Sequence, residues 1–376
     1  MKHPRIGISL FFAIISLVVS ACGTATGLSG CAGCPTDTPI PSLTPTDSPL
    51  PTEIPATFTV TPLLPPSGRI LFISDRDGAR NLYVVDASGG SLTRLTNSAS
   101  DDDQPRWSPD GSRVAFASTV NDNTDIYVVN ADGSNLIRLT DDPAKDAAPS
   151  WSNDGQWLAF ESFRDGNFEI YVVNVNGGES RRITNDPAGD SNPQWSPVEN
   201  RIAFVSSTQT GNSDIFLINA DGSGLAALTN DPPPSSDPAW SPDGRQIAYR
   251  ASLAGNAKQI WVVNADGSDP HNLTEAGRFG LPVWSRDGRL AFIASYQSGT
   301  SDVTEIDFLD PLTGSLMRWP LTVEVRSDPS WSPDGAYVVM QANTGGNMEL
   351  FLLVVSTGDI LPLTTAAGYD GAPMWQ

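Results

Sequence analysis

Pro105-Arg106-Trp107-Ser108-Pro109-Asp110-Gly111 is the stretch to which this sequence keeps returning. A proline stands two residues before a tryptophan at seven places, and the intervals between these tryptophans are 44, 44, 45, 44, 47 and 44 residues. The seven positions are Trp107, Trp151, Trp195, Trp240, Trp284, Trp331 and Trp375. A repeat of this length, with several short strand signals in each unit, is typical of β-propeller blades.

One unit shows how four strands fit into the repeat. We predict an inner strand at Pro105–Ser108, followed by the turn residues Pro109-Asp110-Gly111. Two longer strands are predicted at Arg113–Ser118 and Asp125–Asn130, and a fourth at Asn135–Thr140. The apolar runs of the two middle strands lack polar alternation, which indicates a sheet that is covered on both faces. Such a sheet has to stack between two neighbours.

The two ends of the repeat region complement each other. Before Trp107 the sequence has strand signals such as Arg69–Ser74, but it has no Pro-x-Trp, whereas Ala372–Trp375 follows the last complete unit. We therefore predict that the final residues supply the missing innermost strand of the first blade. The prediction is an all-β fold, a seven-bladed propeller of four-stranded antiparallel blades over residues 67–376.

The first residues are typical of an export signal. Lys2 and Arg5 precede an apolar run from Ile6 to Val19, and small residues then lead to Cys22. We predict a lipoprotein signal peptide at residues 1–21 and lipid attachment at Cys22. The open alternative is an ordinary cleaved leader with an unused cysteine. The resulting protein is exported and lipid-anchored to the cell membrane or envelope, with its propeller facing the periplasm or exterior.

Residues 22–66 form a predicted tether. Residues 35–66 alone contain ten prolines and eight threonines, a composition that favours extended backbone and cannot bury a core. Cys31 and Cys34 lie at the start of this segment, where a local disulfide or no role at all is a better interpretation than a zinc site.

The repeated segments Trp-Ser-Pro-Asp-Gly, Ile-Ala-Phe, Ile-Tyr-Val-Val-Asn-Ala-Asp-Gly-Ser and Arg-Leu-Thr resemble the WD-like propeller repeat of the TolB type over residues 68–376. TolB-type proteins carry an extra N-terminal domain before a six-bladed ring and partner an outer-membrane-associated lipoprotein, so the resemblance implies a binding role. The repeat is also similar to the propellers of prolyl-oligopeptidase-like peptidases, in which a separate α/β-hydrolase domain does the chemistry. It is similar to oligogalacturonide lyases too, which hold a metal through several histidines.

The sequence offers few groups for catalysis. Its two histidines are His3, within the predicted leader, and His271 beside a predicted turn, and no Gly-x-Ser-x-Gly elbow or phosphate-binding loop occurs. We therefore predict that the protein is not an enzyme. With 22 Lys and Arg against 43 Asp and Glu, the formal net charge of −21 also argues against nucleic acid as a partner.

Carboxylates are the groups that the predicted ring does offer. An aspartate stands just before the Pro-x-Trp pattern in six units, and the unit before Trp284 has Arg278 and Phe279 instead. The six are Asp103, Asp146, Asp190, Asp237, Asp328 and Asp370. We expect them at the mouth of the central channel, where they would bind a basic peptide or a cation such as Ca²⁺, although no cofactor is required. The competing interpretation is that they only accept turn hydrogen bonds.

These observations predict a monomeric, surface-anchored propeller that binds a protein, peptide or glycan of the cell envelope. The alternative is a glycan- or peptide-processing enzyme that uses a pair of these aspartates as acid and base.

Overall fold

The computed structural model describes residues 64–207, 212–230, 233–298 and 301–376, which lie within one compact unit, residues 62–376. The predicted signal peptide, Cys22, Cys31, Cys34 and all but the last residues of the predicted tether lie outside the described residues. Seven antiparallel sheets, numbered here as blades 1 to 7 in chain order, form the predicted β-propeller.

The strands follow the repeat. Those of blades 1 to 4 are β1 (Arg69–Ser74), β2 (Asn81–Asp86), β3 (Leu92–Arg94), β4 (Asp101–Trp107), β5 (Arg113–Val120), β6 (Asn123–Asn130), β7 (Ile137–Arg138), β8 (Asp146–Trp151), β9 (Trp157–Ser162), β10 (Glu169–Asn174), β11 (Arg181–Arg182), β12 (Gly189–Trp195), β13 (Arg201–Ser207), β14 (Ser213–Asn219) and β15 (Ala226–Ala227). In blade 2 the inner strand β4 begins at Asp101, four residues before the predicted start at Pro105. The outer strand β7 spans Ile137–Arg138 and is shorter than the predicted Asn135–Thr140.

Blades 5 and 6 contain β16 (Ser235–Trp240), β17 (Gln246–Ser252), β18 (Lys258–Asn264), β19 (His271–Asn272), β20 (Arg278–Phe279), β21 (Val283–Trp284), β22 (Leu290–Ser298), β23 (Ser301–Leu309) and β24 (Leu316–Pro320). Blade 7 contains β25 (Glu324–Val325), β26 (Ser330–Trp331), β27 (Tyr337–Thr344), β28 (Asn347–Val354) and β29 (Ile360–Pro362), and β30 (Asp370–Trp375) ends the chain. The inner strands of blades 6 and 7 are each interrupted, so two short segments pair with β22 and two with β27. A 3-10 helix spans Ala254–Asn256.

The last strand completes the first blade, as predicted. β30 pairs antiparallel with β1, with Trp375 opposite Ile70 and Asp370 opposite Ser74. The Gln376 amide donates to the Arg69 carbonyl at 2.9 Å. The two ends of the propeller are thus joined within one sheet.

The core lies in the joints between blades. Each of the seven joints contains its own cluster of buried apolar residues, including the joint between blades 7 and 1. The second strands contribute to both of their joints, and five of them carry a fully buried phenylalanine near the centre, namely Phe72, Phe116, Phe160, Phe204 and Phe292. Burial on both faces of each sheet is therefore what the stacked ring provides.

A bulge shapes the inner strands. In five blades the residue three before the repeat tryptophan has a positive φ of 49–58°, and the pairing register shifts at this point. These residues are Gln104, Ala148, Asn192, Asp237 and Ala372. The extra residue re-aims the side chains around it, so positions five and three before the tryptophan have different surroundings.

The position five before the tryptophan is a buried carboxylate in four blades. Asp102, Asp146, Asp190 and Asp370 each lie opposite a serine of the second strand, and each is at most 1% exposed. Arg164 donates two hydrogen bonds to Asp146 at 2.9 and 3.0 Å, and Arg76 donates two to Asp370 at 2.7 and 2.8 Å.

Asp190 has no such partner. Among the described residues neither of its carboxylate oxygens accepts a well-formed hydrogen bond. Burial, offset only in part by the nearby Ser206 and Thr184 hydroxyls, raises the pKa of Asp190 from 3.8 to about 6. The folded state disfavours the ionised form of Asp190. The resulting loss of folding stability therefore grows as the pH rises from 3.8 to about 6, and it reaches its full size above about pH 6.

We predict that Asp190→Asn stabilises the protein at pH 8 by roughly 1–3 kcal/mol, since the amide removes a buried charge. The gain should shrink as the pH falls and vanish below about pH 4, where Asp190 is protonated in both states. Urea unfolding at several pH values measures this. The matched Asp146→Asn variant should lose stability at pH 8, because it leaves the Arg164 guanidinium without its carboxylate. Destabilisation by both substitutions at pH 8 would contradict the interpretation of Asp190.

Candidate binding site in the central channel

A cavity of about 840 Å³ lies between the inner strands of blades 1, 2, 4, 5, 6 and 7. Its wall comes mostly from residues within five positions of the repeat tryptophans, including the prolines Pro105, Pro238, Pro282 and Pro373. We refer to this space as the central channel. A cavity of this size accommodates a peptide segment or a short glycan.

Three of the six predicted aspartates line the central channel. Asp103 has a side chain that is 54% exposed, with Arg80 3.9 Å away. Asp237 accepts hydrogen bonds from Arg250 at 2.6 and 2.9 Å. Asp328 accepts the Leu281 amide at 2.7 Å across the joint between blades 6 and 7, and burial raises the pKa of its carboxyl group.

The other three, Asp146, Asp190 and Asp370, do not line the channel but lie buried within their blades. The expectation that the aspartates of six units all lie at the channel mouth is therefore wrong for these three. Measured from the repeat tryptophan, these three are five residues upstream, whereas Asp103 is four and both Asp237 and Asp328 are three upstream. The bulge separates these positions, and Asp102, rather than Asp103, is the counterpart of Asp146. Counting back from each tryptophan would have revealed the difference.

Sequence reasoning missed the cations of the channel. Arg106, Arg286 and Arg326 line the same cavity as the three aspartates. Arg106 stands directly before Trp107, where the other blades have Ser150, Gln194, Ala239, Val283, Ser330 and Met374. Its Nη1 lies 3.3 Å from the Pro105 carbonyl and 3.6 Å from the Met374 sulfur, and no ion pair is formed by Arg106 within the described residues. Alignment of the residue before each tryptophan would have singled out Arg106.

Burial lowers the pKa of the Arg106 guanidinium, and the charge of Asp328 opposes this effect. An arginine remains protonated at neutral pH, so the channel wall carries both signs of charge. A guanidinium with several unused donors can bind a carboxylate through two parallel hydrogen bonds.

The channel aspartates do not form a ligand set for a cation such as Ca²⁺. Asp237 is engaged by Arg250, and Asp328 by the Leu281 amide. In the part of the chain that the structure describes, no group of three or more His, Cys, Asp and Glu side chains could hold a metal ion. The residues present therefore do not fit a protein-ligated metal in the channel.

His271 lies in β19 at the outer edge of blade 5, and its ring is 39% exposed. Its Nδ1 is 2.9 Å from the Asp269 carbonyl oxygen. His271 is therefore partly exposed at the edge of its blade and does not line the central channel. Across the described ranges, no helix has the length and apolar character needed to span a membrane.

Solved structures resemble the chain at low identity. TolB from Acinetobacter baumannii is 19% identical with a TM-score of 0.52, and the match covers 79% of this chain and 78% of that chain. A putative TolB from Agrobacterium tumefaciens is 22% identical with a TM-score of 0.52, covering 74% and 99% of the two chains. An oligogalacturonate lyase in complex with manganese is 18% identical with a TM-score of 0.64, covering 77% and 86%.

At such identities these likenesses show a common fold. No curated protein matches the sequence. The family profile of the TolB β-propeller domain matches residues 99–209 and 185–318, which together cover more than half of the chain. The chain therefore belongs to the TolB β-propeller domain family.

Proposed function

We propose that this chain is a non-enzymatic binding module of the cell envelope that holds a protein, peptide or glycan partner at its central channel. The observation that carries this proposal is the wall of the channel, where three carboxylates and three guanidinium groups surround a cavity of about 840 Å³. A wall of mixed charge suits a partner that presents both donors and acceptors. Membership in the TolB β-propeller domain family supports a binding role.

The alternative of an enzyme that uses two aspartates as acid and base has less support. The general acid of such a pair needs a raised pKa and contact with the substrate. Among the six predicted aspartates, Asp190 has its pKa raised to about 6, but it is fully buried and does not line the channel. Asp328 does line the channel, yet one of its oxygens already accepts a backbone amide.

The amino-terminal residues support attachment to a membrane. We propose that Cys22 carries a lipid and that residues 22–66 space the propeller from the membrane surface, at up to ~3.1 Å per residue. Metabolic labelling with palmitate should mark the wild-type chain, and Cys22→Ala should abolish the label. Equal labelling of both chains would refute attachment at this cysteine.

Crosslinking in the cell tests the channel as the binding site. A photo-crosslinking amino acid at Gln104, which lines the channel, should capture a discrete partner. The matched control carries the photo-crosslinking amino acid at Leu136, which is 53% exposed at the outer edge of blade 2, and should not capture this partner. Adding Arg106→Gln to the Gln104 variant should reduce capture by roughly tenfold if a charge-assisted hydrogen bond to the partner is lost.

Equal capture from Gln104 and Leu136, or capture from Gln104 that Arg106→Gln leaves unchanged, would contradict binding in the channel. Mass spectrometry of the crosslinked species identifies the partner. Thermal unfolding of each variant verifies that the propeller remains folded.

A further inference from the structure

Arginines bridge several of the joints between blades. In three joints an arginine at the start of the second strand reaches the tryptophan of the next blade. Arg69 and Arg113 are the first residues of β1 and β5, and Arg289 directly precedes β22. Arg69, Arg113 and Arg289 place their guanidinium carbons 4.9–5.1 Å from the ring centres of Trp107, Trp151 and Trp331. Each also donates to the carbonyl of the turn glycine that follows that tryptophan, at 2.7–3.0 Å. In these three joints one guanidinium therefore contacts both the indole face and a turn carbonyl oxygen of the next blade.

Four joints lack this bridge among the described residues. Three of them have Arg201, Gln246 and Tyr337 at the corresponding position, and the fourth is the joint between blades 3 and 4. Trp157 occupies the arginine position and is 37% exposed, and no cation lies over the Trp195 ring within the described residues. The turn after Trp195 has Glu199 where the other turns have their glycine. In this turn the Val198 and Glu199 amides donate to the Ser196 hydroxyl at 3.4 and 3.2 Å.

A cleft of about 530 Å³ lies between blades 3 and 4, in the joint whose turn has Glu199 in place of glycine. We call it the blade 3–4 cleft; its wall includes Trp157, Trp195, Asp154, Glu199 and Asp221. Trp195 is also the repeat tryptophan whose indole N–H has no acceptor within the described residues. Asp154, Glu199 and Asp221 belong to the turns at the opposite end of the strands from Asp103 and Asp328. The cleft therefore opens away from these channel carboxylates, although Trp195 lines both cavities.

The charges of the cleft favour a cation. Hydrogen bonds from Ser152 and from the Gln156 amide lower the pKa of Asp154, and those from Ser223 lower the pKa of Asp221, so both are ionised at neutral pH. Glu199 is 57% exposed, and its nearest cation is the Arg201 Nη1 at 3.9 Å.

The two arginines in the wall of the cleft are directed at backbone oxygens. Arg181 donates to the Ala220 carbonyl at 2.6 Å, and Arg201 donates to the Ala265 carbonyl at 3.4 Å. Neither guanidinium lies over Trp157 or Trp195. The net charge of −21 for the whole chain further attracts a cationic partner to this surface.

We propose that the blade 3–4 cleft binds a basic side chain, an arginine of a partner polypeptide, against Trp157 and Glu199. The partner's guanidinium lies against the exposed indole of Trp157 and donates to the Glu199 carboxylate, and so combines an aromatic face with an oxygen acceptor as Arg69, Arg113 and Arg289 do in their joints. The occupant is thus a basic peptide segment, and the site is additional to the channel.

Isothermal titration calorimetry of the full-length chain with a tri-arginine amide tests this proposal at 0.15 M salt. We expect one saturable site. Trp157→Arg removes the indole and places a guanidinium in the cleft, as Arg69, Arg113 and Arg289 do in their joints, so it should weaken binding by at least roughly tenfold. Gln246→Arg is the matched control, because Gln246 is the first residue of the second strand in blade 5 and the substitution adds the same charge. It should leave binding unchanged.

Several results would overturn the proposal. The wild-type chain could show no saturable binding of tri-arginine. Trp157→Arg and Gln246→Arg could weaken binding equally, or Trp157→Arg could leave the affinity unchanged. Tighter binding of a neutral trisaccharide than of tri-arginine, abolished by Trp157→Arg, would identify the cleft as a glycan site instead. Should Trp157→Arg fail to fold, Glu199→Gln at an exposed position should weaken tri-arginine binding several-fold, and an unchanged affinity would count against the proposal.

Discussion

The apolar character of both faces of each sheet is the constraint on which the rest of this structure depends. A single blade such as β8–β11 cannot bury both faces by itself, and stacking against two neighbours removes both from water. An open array would leave two terminal faces exposed, whereas the ring leaves none. The pairing of β30 with β1 is therefore the contact that turns six complete repeats and two fragments into a ring with seven joints.

Hydrogen bonds of the repeat tryptophans leave other positions of the repeat free to vary in sequence. The indole N–H of the repeat tryptophan donates to a carbonyl of the preceding inner strand in five blades, at 2.9–3.2 Å. This ladder holds the inner strands together irrespective of the side chains that line the channel or fill the joints. Arg106 lines the channel and Trp157 lies in the joint between blades 3 and 4, and each differs from the residues at the corresponding positions of most other blades. Both candidate sites thus arise where one repeat differs from the others on a common scaffold.

The period of the tryptophans and the split first blade were sufficient to predict the number of blades, their four-stranded sheets and the closure by β30. The sites were less predictable, because a carboxylate's environment depends on the bulge in the inner strand, which shifts the register by one residue. Asp103 and Asp146 look alike beside their prolines, yet one lines the channel and the other is fully buried against Arg164. The role of Arg106 follows from the ring as a whole, since its neighbours in the channel are distant in sequence.

Native-state hydrogen exchange of the last strand tests the closure most directly. The amides of Asp370–Trp375 should exchange only through global unfolding, with the same opening free energy as those of Arg113–Val120 in blade 2, because the ring cannot open at β30 without exposing both faces of its neighbours. Mass spectrometry of peptides that cover the two strands compares them within one sample. Exchange of Asp370–Trp375 that is orders of magnitude faster, with Arg113–Val120 still protected, would show that the ring is stable without this strand and would contradict the account.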